Sequence, residues 1–164
     1  MPVTLRPVTP ADAPALIAAN AAARDFHAPW VQPFTDQPGF DTWWAPVDQG
    51  RRLPLIVLAA ETLAGVISLN EIVRGAFQSS YLGYYAYPGS AGQGAMTRGL
   101  ALALAHAFGP AGLHRVEANI QPANHRSLAL VRRAGFRHEG FSPRYLHIDG
   151  AWRDHERSAK CADD

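Results

Sequence analysis

The stretch Tyr81-Leu82-Gly83-Tyr84-Tyr85-Ala86-Tyr87-Pro88-Gly89-Ser90-Ala91-Gly92-Gln93-Gly94-Ala95 decides how this chain is read. Its first seven residues have the aromatic and aliphatic composition of a strand. Pro88 to Gly94 breaks that pattern, and Ala95–Phe108 then continues at helical period until Gly109-Pro110 stops it. Glycines at 92 and 94 allow the backbone to approach a ligand closely, and the N–H groups and dipole of the following helix favour an anion. The same glycines also suit a plain tight connection, and the local sequence is compatible with both.

Two phosphate-binding motifs are excluded. A P-loop requires G-x-x-x-x-G-K-[ST], and the only lysine is Lys160. The dinucleotide fingerprint requires a third glycine where Thr97 stands, with an acidic residue about twenty positions on, and neither is present.

Working outward, Val3-Thr4-Leu5-Arg6 reads as a strand, and Thr9-Pro10-Ala11-Asp12 as the start of a helix over 10–24. A Pro- and aromatic-rich loop over 27–36 leads to a helix over 38–49 carrying Phe40, Trp43 and Trp44. Strands are expected over 53–60, 64–72, 81–87 and 113–120, helices over 95–108 and 124–134, and a closing hairpin over 136–148 and 152–158. Asp149-Gly150 is its turn. The order βα(α)βββαβαββ predicts an α+β fold, a mixed sheet with helices on both faces, in a single domain over 1–164.

With 164 residues and 48% of them hydrophobic, the chain can bury one sizeable core without staples. A formal charge of +1 supplies no polyanion-attracting field, so no nucleic-acid partner is expected. Cys161 is the lone cysteine, and the histidines share no metal-ligand spacing, so neither a disulfide nor a metal site is expected. Without a signal-peptide layout or a long apolar run, the reading is cytoplasmic, with no membrane partner; monomer and homodimer both stay open.

After the glycine loop come Asn119 at a strand end, Asn124-His125-Arg126-Ser127-Leu128 at a helix start, and Arg133-Ala134-Gly135-Phe136. This order resembles the GNAT family of acetyl-CoA-dependent N-acetyltransferases. Val73-Arg74-Gly75-Ala76-Phe77, Tyr81-Leu82-Gly83-Tyr84 and the tail Tyr145–His155 resemble its RimJ-like branch, which acetylates a ribosomal-protein N-terminal alanine. The likeness is dense from 64 to 158. It implies a mostly antiparallel sheet with a splayed strand pair, acetyl-CoA as donor, and a protein N-terminus as acceptor, of ribosomal type.

The resemblance further implies that the backbone of Tyr85, Ala86 and Tyr87 pairs with pantetheine. Gly89, Ser90, Ala91, Gly92, Gln93, Gly94 and Ala95 would wrap the pyrophosphate. Gly89 and Ala91 stand where the family often has Gln or Arg, so backbone N–H groups would carry that contact. Asn119 joins the cofactor-contacting set, Asn124 would meet pantetheine while also being a favoured N-cap, and Ser127 would lie near sulfur.

Direct attack by an amine needs little base when the amine is N-terminal. With a pKa near 7.7–8.0 roughly a tenth is neutral at pH 7, against about 0.04% for a lysine amine. Cys161 fits no nucleophile role. Glu71 is the first candidate base, on a strand face with Ile67 and Leu69, unless it lies past the strand end in solvent. Tyr84, Tyr145 and His147 follow, and an N–H near Tyr85 is the expected oxyanion donor. Trp30, Phe34, Trp43, Arg74, Tyr84, Tyr145 and His147 are the candidate acceptor-binding residues, in a cleft between the aromatic loop and the hairpin. Two other readings stand: a small-molecule amine acceptor, and a CoA-binding module without catalysis.

Overall fold

The computed structural model describes residues 1–164. Seven strands form one sheet in the order β1-β2-β3-β4-β5-β7-β6. They are β1 (Val3–Pro7), β2 (Leu53–Ala59), β3 (Thr62–Val73), β4 (Ser79–Ala86), β5 (Arg115–Ile120), β6 (Arg137–Ile148) and β7 (Ala151–Cys161). All neighbours are antiparallel except β4 and β5. That parallel pair is joined only over Ser79–Leu82 and Arg115–Ala118. Beyond Leu82 the two strands part, which leaves one edge of β4 open in the middle of the sheet.

The helices are α1 (Ala13–Ala22), α2 (Arg24–His27), α3 (Gln37–Asp48), α4 (Ala95–Phe108) and α5 (His125–Arg133). The helix expected over 10–24 is instead a 3-10 turn at Pro10–Asp12 followed by α1 and α2, separated at Ala23. No helix is long and apolar enough to cross a membrane.

The continuous apolar run of β2 is explained by burial on both faces. Leu55 and Val57 join Ile67, Leu69, Leu100, Val116 and Val131 under α4 and α5. Ile56 and Val66 point the other way, into a second cluster with Leu16, Phe40 and Tyr87 beneath α1 and α3. This is the period-2 alternation of a doubly covered strand. The closing hairpin turns at Asp149 (φ 51°) and Gly150 (φ 77°), two consecutive positive-φ residues as a two-residue hairpin requires.

Two bulges change which side chains face where. On β3, Glu71 and Ile72 stand opposite the single residue Ser80, and Glu71 adopts φ 44°. On β6, Arg137 faces Ala159, but past Glu139 it is Gly140 that faces Arg157. A second irregularity follows, where residues 143–145 stand opposite Asp154 alone, and beyond it Leu146 faces Arg153, so the pairing parity there is opposite to that before Glu139.

Candidate active site

The open edge of β4 forms one wall of a cavity of about 760 Å³, within the size range of small-molecule sites. The first turn of α4, the end of β5, the start of α5, the Phe26–Val31 segment and the β6–β7 hairpin complete it.

One end of this cavity suits an anion. Gly92 (φ 75°) and Gly94 (φ 76°) hold left-handed conformations, and Gly94 is the N-cap of α4. A side chain at 92 would meet only open space, so the loop backbone is bare to an incoming ligand. Ser90 Oγ donates to the Ala64 carbonyl at 2.8 Å and ties the loop to β3. Gln93 folds back on the Gly89 carbonyl at 3.2 Å, and neither Gly89 nor Gln93 reaches the cavity wall. Arg98, one helical turn on, lies so close that a Cβ on Gly94 would sit 3.2 Å from its guanidinium. Arg98 donates to the Gln93 carbonyl at 3.2 Å and stays off the cavity wall, which Arg126 and Arg133 of α5 do line. These three arginines were missed from sequence, where attention went to Gly89 and Ala91; the i+4 spacing of Arg98 from Gly94 was the available signal.

The strand edge can be read group by group. The Tyr87 N–H donates to the Ala64 carbonyl at 2.9 Å, and a Cβ on Gly65 would strike the Tyr85 carbonyl at 2.6 Å, so residues 85 and 87 turn their backbone toward β3. Alternation then turns the backbone of Tyr84 and Ala86 toward the splay. The expected donor near Tyr85 is therefore displaced by one residue to either side. The Ala86 carbonyl accepts from His27 Nε2 at 2.8 Å, which leaves its N–H for a ligand. Tyr87 lies in the second core cluster, its hydroxyl donating to Asn20 Oδ1 at 2.6 Å.

At the centre, Asn124 caps α5 by accepting from the Ser127 N–H at 3.3 Å. The Ser127 hydroxyl hydrogen-bonds the Tyr84 hydroxyl, and burial raises the Tyr84 pKa. Burial likewise pushes the neighbouring Tyr85 phenol up to about 12. Asn119 Oδ1 is buried on the cavity wall without a hydrogen-bond partner. An orphan acceptor of this kind costs about 1–3 kcal/mol until a ligand N–H meets it. Asn119, Asn124, Ser127 and the Ser90–Gly92 and Gly94–Ala95 backbone are thus brought to one cavity, and they fit a ligand that combines an anion with amide groups.

The far end is aromatic and apolar, with Phe26, Trp30, Tyr81, Leu146 and Ile148 on its walls. Gln32 Nε2 donates to Asp149 Oδ1 at 2.7 Å, bridging the loop to the hairpin turn. Of the candidate acceptor-binding residues, Trp30 and Tyr84 line the cavity and the others do not. Phe34 and Trp43 have ring centroids 5.0 Å apart and pack on Phe40, with Arg52 over Trp43. Arg74 donates to the Ala111 carbonyl at 2.6 Å, tying two connections together away from the cavity. Tyr145 and His147 are exposed and off the cavity wall, Tyr145 with its ring beside that of His155, while Leu146 and Ile148 line the cavity.

Glu71 requires the largest correction. Its bulge takes it off the face of Ile67 and Leu69, leaving it exposed, 3.3 Å from Arg51 and outside the cavity. No Asp or Glu lines the cavity at all. At the opposite end of β5, His114, Cys161 and Asp163 bring one ligand atom each within 4.8 Å of one another.

Residues 3–137 match the family model described as Acetyltransferase (GNAT) domain. A probable N-acetyltransferase, YjcK, of Bacillus subtilis is 34% identical over 109 residues, 66% of this chain and 60% of that protein. The ribosomal protein uS5 alanine N-acetyltransferase of Escherichia coli is 40% identical over 97 residues, 59% of this chain and 50% of that protein. The chain therefore matches about half to three-fifths of the length of these relatives. Mycobacterium smegmatis RimJ, solved in complex with CoA-disulfide, superposes with a TM-score of 0.87 at 34% identity, covering 98% of this chain and 82% of that one. With the splayed strands, the glycine-capped helix and the family match over most of its length in agreement, the chain belongs to the GNAT acetyltransferase family.

Proposed function

We propose that this protein transfers the acetyl group of acetyl-CoA to the α-amine of a polypeptide N-terminus. The observation that carries the reading is the cavity at the splay, cationic and backbone-lined at one end, aromatic and free of carboxylates at the other. A polyamine or another polycationic small amine would be desolvated there without a counter-charge, at high cost. A terminal α-amine is partly neutral at pH 7 and needs no acidic cleft.

Arg98, Arg126, Arg133 and the N–H groups of the glycine loop would hold the phosphates. The open edge of β4 would pair with pantetheine, with Asn119 and Asn124 meeting its amides. The N–H of Tyr84 or Ala86 would stabilise the charge that develops on the thioester oxygen, and Ser127 would give its proton to the departing sulfur. The relatives named for ribosomal-protein alanine acetylation support an acceptor of that class, which would place the enzyme in the cytoplasm.

The test incubates the protein with acetyl-CoA and peptides beginning with Ala, Ser or Met. One acetyl group on the α-amine of the alanine peptide is the expected product. Failure to transfer to any of them, or transfer to spermidine in preference, overturns the proposal.

A further inference from the structure

We infer that His155 of β7 accepts the proton released by the attacking amine, a step for which the sequence offered Glu71, Tyr84, Tyr145 and His147. It rests on the acetyl-transfer reading above. Glu71 is exposed and ion-paired, Tyr84 is committed to Ser127, and Tyr145 and His147 are exposed and off the cavity wall. Two imidazoles remain on the cavity wall, those of His27 and His155.

Their hydrogen bonds separate them. His27 Nε2 meets the Ala86 carbonyl, which can only accept, so that nitrogen carries the proton; its bare Nδ1 is buried without a partner. His27 is thereby a clamp on β4. His155 has the opposite arrangement. Its Nδ1 lies 2.8 Å from the Arg153 carbonyl, which fixes the proton on Nδ1 and leaves Nε2 as the acceptor of a ring that lines the cavity. The residue is 1% exposed, so the imidazole is held by the sheet and does not sweep through solvent. Pairing of Asn119 with Arg157 puts His155 on the same sheet face as Asn119, beside the inward-facing Leu146 and Ile148.

The unprotonated nitrogen of the neutral His155 ring has a lone pair that can accept a proton. The groups around it are Tyr145 of β6, with ring centroids 5.9 Å apart, Asn119 of β5, and Arg153 and Arg157 of its own strand. Arg153 is engaged with the Ile148 and Asp149 carbonyls and Arg157 with Ser142 Oγ. No carboxylate lines the cavity to compete for the proton. In the step, the neutral amine forms the C–N bond, its excess proton passes to Nε2 directly or through one water, the C–S bond breaks, and sulfur takes a proton from Ser127. Return of the His155 proton to solvent, and of one proton to Ser127, restores the enzyme.

The test compares wild type with His155→Asn and His155→Ala on an alanine-initiated peptide at saturating acetyl-CoA. The asparagine amide can keep the donation to Arg153 and cannot take up the proton. We expect kcat to fall about a hundredfold or more, the acidic limb of the kcat–pH profile to disappear, added imidazole to restore part of the rate to His155→Ala, and thermal stabilisation by CoA to persist in both. A kcat within about threefold of wild type, or an unchanged pH profile, overturns the role of His155. Should His155→Asn fail to fold, His155→Gln and the imidazole rescue of His155→Ala decide by the same criteria. Wild-type protein that transfers to no amine overturns the acetyl-transfer reading, whereas transfer that survives loss of His155 overturns this inference alone.

Discussion

The hydroxyls of Tyr84 and Ser127 meet across the gap between the open edge of β4 and the first turn of α5. Tyr84 is reached along the splayed strand and Ser127 through the Asn124 cap, so two unrelated local structures converge on one hydrogen bond. Either hydroxyl can supply the proton that a departing thiolate needs, with the other as its relay. Tyr84→Phe and Ser127→Ala should each lower kcat by about ten- to a hundredfold with little change in CoA affinity. Measured as a cycle, the double variant should lose much less than the product of the two, as expected for groups acting as a unit.

Arg98 stands beside the glycine loop where the sequence offered no side-chain charge at Gly89 or Ala91. Arg98→Ala should weaken CoA binding by about tenfold, and calorimetry at rising salt should show the difference shrinking as exposed charges are screened. Equal affinity of the variant at low salt would remove Arg98 from the phosphate contact.

Asn20 is 1% exposed, accepts from the Tyr87 hydroxyl at 2.6 Å and donates to the Phe34 carbonyl at 2.9 Å. Removing it strands a buried hydroxyl and a half-buried carbonyl together. Asn20→Ala should cost about 2–4 kcal/mol in urea unfolding, while Asn20→Asp would add an unpaired charge and should cost more.

Acid sensitivity should concentrate at Asp12. The Arg6 guanidinium, 2.8 Å away, holds its carboxyl at about 2 in the folded protein, aided by the Thr9 N–H. A depressed folded pKa contributes stability that is full above the unfolded value near 3.9 and is lost as the pH falls toward 2. The pair is partly exposed, so the effect is modest. Thermal melts of wild type should drop over that window, and Asp12→Asn should flatten the drop while lowering Tm at pH 7.

Much of the site was legible because it is built from local rules. Gly92 and Gly94 take φ values that L side chains rarely adopt, Asn124 caps α5, and Asp149-Gly150 turns the hairpin, each determined within a few residues. The cavity-lining Asn119 and Ser127 followed from the family likeness, and Trp30 from the aromatic loop before α3. Glu71, Tyr145 and His147 lie off the cavity wall. Glu71 was placed by extending the alternation of Ile67 and Leu69, and Tyr145 and His147 by the likeness of the tail that holds them, and in both strands a register shift decides which side chains face the cavity.

The sequence by itself determined the order of elements, the strand–glycine loop–helix unit and the family likeness, because turns, caps and helix stops depend on backbone conformations that neighbouring residues set. Only the tertiary structure decided which groups line the cavity at the splay: the backbone of Tyr84 and Ala86 instead of Tyr85, the side chains of Arg126 and Arg133, and the ring of His155, with the carboxylate of Glu71 left outside. The physical reason is that a one-residue bulge inverts every side chain beyond it, and whether a bulge forms is settled by the partner strand, not by the strand's own residues.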